Sequence, residues 1–247
     1  MIYLKSPSEI EIIRSNGAIL KECFEIAGKL IRVGVKRVEI DRAIEERILK
    51  RGGKPAFKGF HGFPAATCIS INEEVVHGIP DDRVLEEGQI VGIDVGVYRD
   101  GYYADAARTF PVGEVSPQVK KLLKVTREAL EKGIAKAVVG NNLTDISHAV
   151  ESYVTGHGFS VVKTLVGHGI GQQMHEQPQV PNFGPPAQGP VLEEGLVIAI
   201  EPMVNIGGSD VLTLDDGWTV VTADRKLSAH FEDTVAVTKN GPAILTR

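Results

Sequence analysis

Val84-Leu85-Glu86-Glu87-Gly88-Gln89-Ile90-Val91-Gly92-Ile93-Asp94 has a counterpart later in the chain, Val191-Leu192-Glu193-Glu194-Gly195-Leu196-Val197-Ile198-Ala199-Ile200-Glu201. Val-Leu-Glu-Glu-Gly is identical in both copies, and each continues through an apolar run to an acid. A short run of Ile, Val, Ala and Gly following a Gly reads as a buried strand. A carboxylate at the end of such a strand costs several kcal/mol unless it is paired or bound to a cation. Two acids placed equivalently by a repeat share a task, and that task is read as holding a pair of divalent metal ions.

The repeat extends upstream. Val33-Gly34, Glu39-Ile40 and Ala43-Ile44-Glu45 match Val139-Gly140, Asp145-Ile146 and Ala149-Val150-Glu151 at a constant offset. Ser6-Pro7 and Ser116-Pro117 each open a stretch of helical periodicity, with Ser as cap, Pro in the first turn and Glu9 completing a capping box in the first copy. Ile10, Ile13, Gly17, Leu20, Phe24, Ala27 and Ile31 recur at three- and four-residue steps, one face of an amphipathic helix. The expected organisation is a single catalytic domain over 1–247, built of two related halves of about 1–113 and 114–247, each running helix, helix, strands. A site at their junction would draw residues from both.

The hydrophobic fraction of 43% supports a sizeable core, and a net charge of −5 argues against a nucleic-acid binder. Lys120, Lys121, Lys124, Arg127, Lys132 and Lys136 cluster, but at helical spacing they read as a solvated face. The first residues show no basic stretch followed by an apolar one, no apolar run approaches membrane length, and Cys23 and Cys68 form neither a CxxC pair nor a disulfide framework. A reducing cytoplasm is the expected compartment. Cys68 is read as a small pocket thiol lying before a strand, not as a nucleophile.

Arg99-Asp100-Gly101-Tyr102 reads as a hairpin with Asp100-Gly101 as its loop. Arg99 then pairs with Tyr102 and Asp94 with Ala107, which sets Asp105 diagonally across from Asp94 on the same face, about 7–8 Å away. A loop one residue longer would put the two acids on opposite faces. In the second half, Pro202 ends the strand at Glu201, and Glu232-Asp233 opens another strand; these two acids point to opposite faces, and periodicity does not choose between them. His168 stands between Gly167 and Gly169, where close backbone approach frees its imidazole. The segment 178–190, rich in Pro, reads as an irregular loop bordering a cleft. The Gly-rich stretch 167–171 lacks the Lys-Ser/Thr of a phosphate loop. Mostly oxygen donors with one nitrogen suit Mn(II), Fe(II) or Co(II) rather than structural zinc, and so many carboxylates suit two ions with bridging acids.

The runs Gly167-His168-Gly169-Ile170-Gly171, His175-Glu176-Gln177-Pro178 and Glu201-Pro202-Met203, together with Asp94, Asp105 and Glu232, resemble the methionine aminopeptidases, most closely the bacterial type I enzymes. The resemblance covers essentially the whole chain. It implies an α/β (α+β) pita-bread fold, a pseudo-twofold pair of halves with a curved antiparallel sheet covered by helices. It implies five metal ligands, Asp94, Asp105, His168, Glu201 and Glu232, holding two divalent ions (Co, Mn, Fe(II) or similar). It implies hydrolytic removal of the N-terminal methionine from nascent polypeptides with a small second residue, by metal-activated hydroxide. Glu201 would carry the proton, His175 would steady the oxyanion, and His77 would contact the peptide amide. Phe57, Phe60, Phe63, Cys68 and Trp218 stand where the family lines its methionine pocket; Phe57 replaces a frequent Cys, and Met174 a frequent aromatic. Transient ribosome association, a monomer, and no membrane or sequence-specific nucleic-acid contact are also implied. The runner-up, an X-Pro aminopeptidase or prolidase, shares the fold and the five ligands but carries an additional N-terminal domain. Non-catalytic modules of this fold characteristically lose ligands, and none is missing here.

Overall fold

Ser6 starts helix α1 (Pro7–Leu30) as a reciprocal capping box: its hydroxyl accepts from the Glu9 N–H, and its own N–H donates to the Glu9 carboxylate. The computed structural model describes residues 1–247. Ile13, Gly17, Leu20 and Ala27 form the buried stripe of α1, with Ile10, Phe24 and Ile31 on its margins. Helix α2 (Arg37–Lys50) follows. Ser116 likewise caps α3 (Pro117–Ile134), and α4 (Leu143–Gly156) completes the second pair. The basic side chains along α3 and just beyond it are all exposed, as a solvated face requires. No helix is long and apolar enough to cross a membrane.

Strands β1 (Lys54–Pro55), β2 (Thr67–Ile71) and β3 (Glu74–Val76) lead into the hairpin β4 (Ile90–Arg99) and β5 (Tyr102–Pro111). After α4 come β6 (Ser160–Val161), β7 (Gly167–Gly169), β8 (Glu176–Val180), β9 (Val197–Ile200) and β10 (Met203–Asn205). The chain ends with β11 (Val211–Thr213), β12 (Val220–Thr222), β13 (Ser228–His230), β14 (Glu232–Thr238) and β15 (Gly241–Ile244). The main sheet is a curled antiparallel half-barrel of order β1-β4-β5-β14-β9-β7-β8, with β2 also on β4 and β15 on β14. Val91, Ile93, Val95 and Val97 of β4 and Ala104 and Ala106 of β5 pack against α1 and α2, while β9 and β14 pack under α3 and α4. Strand alternation therefore turns Asp94 and Asp105 to the face away from the helices.

The duplicated phrases occupy equivalent places. Gly34 N–H donates to Leu85 O at 2.8 Å and Leu85 N–H to Val35 O at 2.8 Å; Gly140 N–H donates to Leu192 O at 2.9 Å and Leu192 N–H to Asn141 O at 2.8 Å. Each Val-Leu-Glu-Glu-Gly copy is thus stitched to the loop between its two helices. The structure also corrects three placements. Asp94 lies in the middle of β4, which continues to Arg99. Cys68 is inside β2, because a strand buried on both faces shows no alternation to mark its start. Pro178 belongs to β8, at the end of the sheet, where a missing N–H removes no ladder bond.

Helix α1 meets the C-terminal segment at Gly17, where any Cβ would run into the carbonyl oxygen of Leu245. Gly17→Ala is expected to destabilise the fold by about 1–3 kcal/mol, as overpacking does, read as a lowered urea midpoint.

Candidate metal centre

Five neighbouring strands of the sheet, β4, β5, β14, β9 and β7, bring one donor each to a single cleft: Asp94, Asp105, Glu232, Glu201 directly after β9, and His168. The register explains why they meet. Arg99 pairs with Tyr102 and Asp94 with Ala107, so the two-residue Asp-Gly loop holds and the acids share a face. Ala107 also pairs with Glu232, and Asp233 pairs with Ile200, which brings Glu201 level with Glu232 one step along. Asp94, Ala107, Glu232 and Glu201 form one row. Asp105, opposite Gly96, begins a second row through Thr234 and Ala199, toward His168. Small side chains alternate with the donors, leaving room in front of the sheet. Thr234 Oγ1 locks the second row, accepting from Asp105 N–H at 3.1 Å and donating to Asp105 O at 2.8 Å.

Ligating atoms of Asp105, His168 and Glu232 lie within 4.8 Å of one another. His168 Nε2 is 4.0 Å from Asp105 Oδ2 and 3.6 Å from Glu201 Oε1. Its Nδ1 lies 2.9 Å from the Gly169 carbonyl, which places the proton on Nδ1 and turns the Nε2 lone pair to the acids. The flanking glycines have the close-approach role expected: a Cβ on Gly167 would strike Ala199 O, and one on Gly169 would strike Gln177 O. Buried oxygens of Asp94, Asp105 and Glu232 have no hydrogen-bond partner. Burial, then mutual repulsion, holds the carboxyls of Asp105, Glu201 and Glu232 well above their ordinary range, and burial pushes Asp94 up to about 7. Burial lowers His168 to about 4, leaving a neutral imidazole. Orphaned acceptors crowded around one neutral nitrogen fit divalent cations.

The choice between Glu232 and Asp233 is physical. Asp233 faces the helices, fully buried, accepting from Arg108 at 2.5 Å, Thr246 Oγ1 at 2.7 Å and Arg247 at 2.6 and 2.9 Å. Arg108 also donates to the Glu232 carbonyl, so one guanidinium satisfies Asp233 and braces the strand behind Glu232.

His77 and His175 enter the cleft from loops. His77 has φ of 59°, the left-handed region, and is held there by Gly78, whose carbonyl accepts from Ile69 N–H at 2.8 Å. Behind it, buried Arg37 donates to Ile69 O, Glu74 and Asp81 at 2.7–3.0 Å, tying down the ends of the loop. The exposed His175 ring stands edge-on to His168 at 4.4 Å and to Phe60 at 5.4 Å. Burial first, then a neighbouring histidine, lowers both His77 and His175. Phe57, Phe60, Phe63, Cys68 and Trp218 all line the same cleft of about 700 Å³, with Phe63 and Trp218 T-stacked at 5.1 Å. Cys68 pairs across β2–β4 with Asp94, and burial, reinforced by that acid, raises its thiol well above the ordinary range. Met174 does not line the cleft; it is buried beside Phe57 over Gly96. The sequence pattern does not single out His230, a buried ring in the cleft wall. Its position two residues before Glu232, on the same face of an extended segment, is the one signal it offers.

Such a centre polarises carbonyls and activates water, so the fold and site define a metal-dependent hydrolase. Residues 11–239 match the model of Metallopeptidase family M24. The chain is 54% identical to methionine aminopeptidase of Clostridium perfringens, over 100% of this chain and 99% of that one. It superimposes on the crystal structure of methionine aminopeptidase from Thermotoga maritima with a TM-score of 0.98 at 45% identity, covering 100% of both chains. Prolidase from Pyrococcus furiosus shares the fold at a TM-score of 0.81 and 26% identity, covering 99% of this chain but 65% of that longer one. The chain belongs to metallopeptidase family M24 and, within it, to the methionine aminopeptidases.

Carboxyls held above their ordinary range bind more protons folded than unfolded. Without metal, stability therefore falls as pH rises from about 4 toward the Asp94 value of about 7. The melting-temperature gap between Mn(II)-loaded and metal-free protein is expected to widen over that interval. Calorimetry near pH 6 in two buffers of different ionisation enthalpy should show net proton release on metal binding; zero release would contradict the raised carboxyls.

Proposed function

We propose that residues 1–247 act as a single catalytic unit, with halves of about 1–113 and 114–247 each contributing donors. The unit removes the N-terminal methionine from nascent polypeptides whose second residue is small. The observation that carries this reading is the juxtaposition of the five-donor cluster with the apolar recess of Phe63, Cys68 and Trp218, within one cleft. Asp94, Asp105, His168, Glu201 and Glu232 would hold two divalent ions, with Mn(II), Fe(II) and Co(II) the candidates. When bound, these supply Lewis acidity toward the scissile carbonyl and render water nucleophilic near neutral pH. Glu201 accepts the proton of the attacking water and returns it to the leaving amine. His175 donates to the oxygen that gains charge, and His77 contacts the scissile or following amide. The recess measures the methionine side chain, and the free α-amine falls on the Asp94 side, which restricts cleavage to the chain's first bond. Nascent chains at the ribosome, met by a cytoplasmic monomer in transient contact, are the proposed source of substrate.

The decisive measurement is turnover of Met-Ala-Ser and of Gly-Pro after chelation, and again after adding back Mn(II), Fe(II) or Co(II). Metal-restored cleavage of Met-Ala-Ser alone is expected; preferential cleavage of Gly-Pro would install the prolidase reading. His175→Ala should lower kcat by about 10²–10³-fold, the cost of one oxyanion donor, with KM little changed. Glu201→Gln should abolish turnover, and Asp94→Ala that left it intact would revive a binding-module role.

A further inference from the structure

The two oxygens of Glu201 face different imidazoles. Oε1 lies 3.6 Å from Nε2 of His168, and Oε2 lies 3.7 Å from Nε2 of His230. Two donors sharing one ion at about 2.0–2.2 Å each can stand at such a spacing, and His168 belongs to the proposed ligand set, so Oε1 is assigned to the metal. Oε2 faces a ring that is not among the five donors. His230 is 4% exposed, lines the cleft, and its Nε2 has no hydrogen-bond partner. The backbone that carries the ring is fixed. His230 pairs with Met203 across β10–β13, its N–H donates to Thr109 Oγ1 at 3.0 Å, and its carbonyl accepts from that hydroxyl at 2.7 Å. A nitrogen buried without a partner carries a penalty of about 1–3 kcal/mol, and Glu201 is the acceptor it faces.

We infer that His230 is a positioning residue whose Nε2–H donates to Oε2 of Glu201 and keeps that carboxylate bound to metal through Oε1 alone. This inference rests on the ligand role proposed for Glu201. Holding Oε2 outside the coordination shell prevents chelation by both oxygens. It preserves an open position for water and peptide, and aims the carboxylate that moves the proton.

Metal-free wild type, His230→Gln and His230→Leu are titrated with Co(II) while the visible absorption is recorded, and kcat and KM are measured on Met-Ala-Ser. Gln keeps an N–H donor at similar reach and should reproduce the wild-type spectrum, with kcat within about threefold. Leu should shift the spectrum toward the weaker absorption of six-coordinate Co(II) as Glu201 chelates. It should lower kcat about 10–100-fold, the usual cost of losing a partner behind a ligand, with KM nearly unchanged. Thermal melts of the metal-free forms verify folding; if the Leu form does not fold, His230→Asn, too short to reach Oε2, must give the same spectral change. An unchanged spectrum and kcat in the donor-less variant overturns the inference. Loss of one Co(II) equivalent in both Gln and Leu overturns it too, by making His230 a ligand. The spectrum needs no peptide turnover, so a failure of the peptidase reading and a failure of the His230 role give different results.

Discussion

Four carboxylates on one face of a buried sheet cannot all be ionised unless cations stand between them. Asp94, Asp105, Glu201 and Glu232 are brought together by strand register, and the orphaned oxygens of Asp94, Asp105 and Glu232 record what the backbone imposes. Like charges this close either share protons or share metal. The rest of the molecule holds them there against that repulsion: helices packed behind the sheet, small residues between the donors, and Thr234 locking the row that contains Asp105. On the reverse face the opposite solution is used, where Asp233 is neutralised by Arg108 and Arg247. One strand thus carries two adjacent acids, one satisfied by guanidinium groups and one left unsatisfied toward the cleft.

Much of this is legible in the residues. Asp100-Gly101 dictates a two-residue loop, and the loop dictates which acids share a face. The Ser-Pro starts of α1 and α3 and the doubled Val-Leu-Glu-Glu-Gly phrase are readable because caps and turns have local chemistry. Glu232 and Asp233 are not separable by periodicity, since both are acids on one strand; the arginine that decides between them comes from β5. His230 is hidden because a histidine among apolar neighbours gives no local sign of what it faces. Its partner, Glu201, is distant in sequence and arrives only with the sheet.

The histidines divide the same way. His168 is fixed by its neighbours Gly167 and Gly169, a local effect visible in three letters. The left-handed backbone of His77 depends on Arg37, far upstream, gripping both ends of its loop. Strands carry Asp94, Asp105, His168 and Glu232, whereas loops carry His77 and His175, the usual division between scaffold and recognition.

The seam between β5 and β14 joins the two portions of the chain, and neither side of it alone holds all five donors. A partly folded chain whose repeats have not docked offers two carboxylates from its first portion, or two with an imidazole from its second. A cation held by donors from both portions would favour the docked arrangement by mass action. Ion binding would then oppose the parting of the two portions, and depletion of the ion would loosen the seam even where catalysis is not limiting.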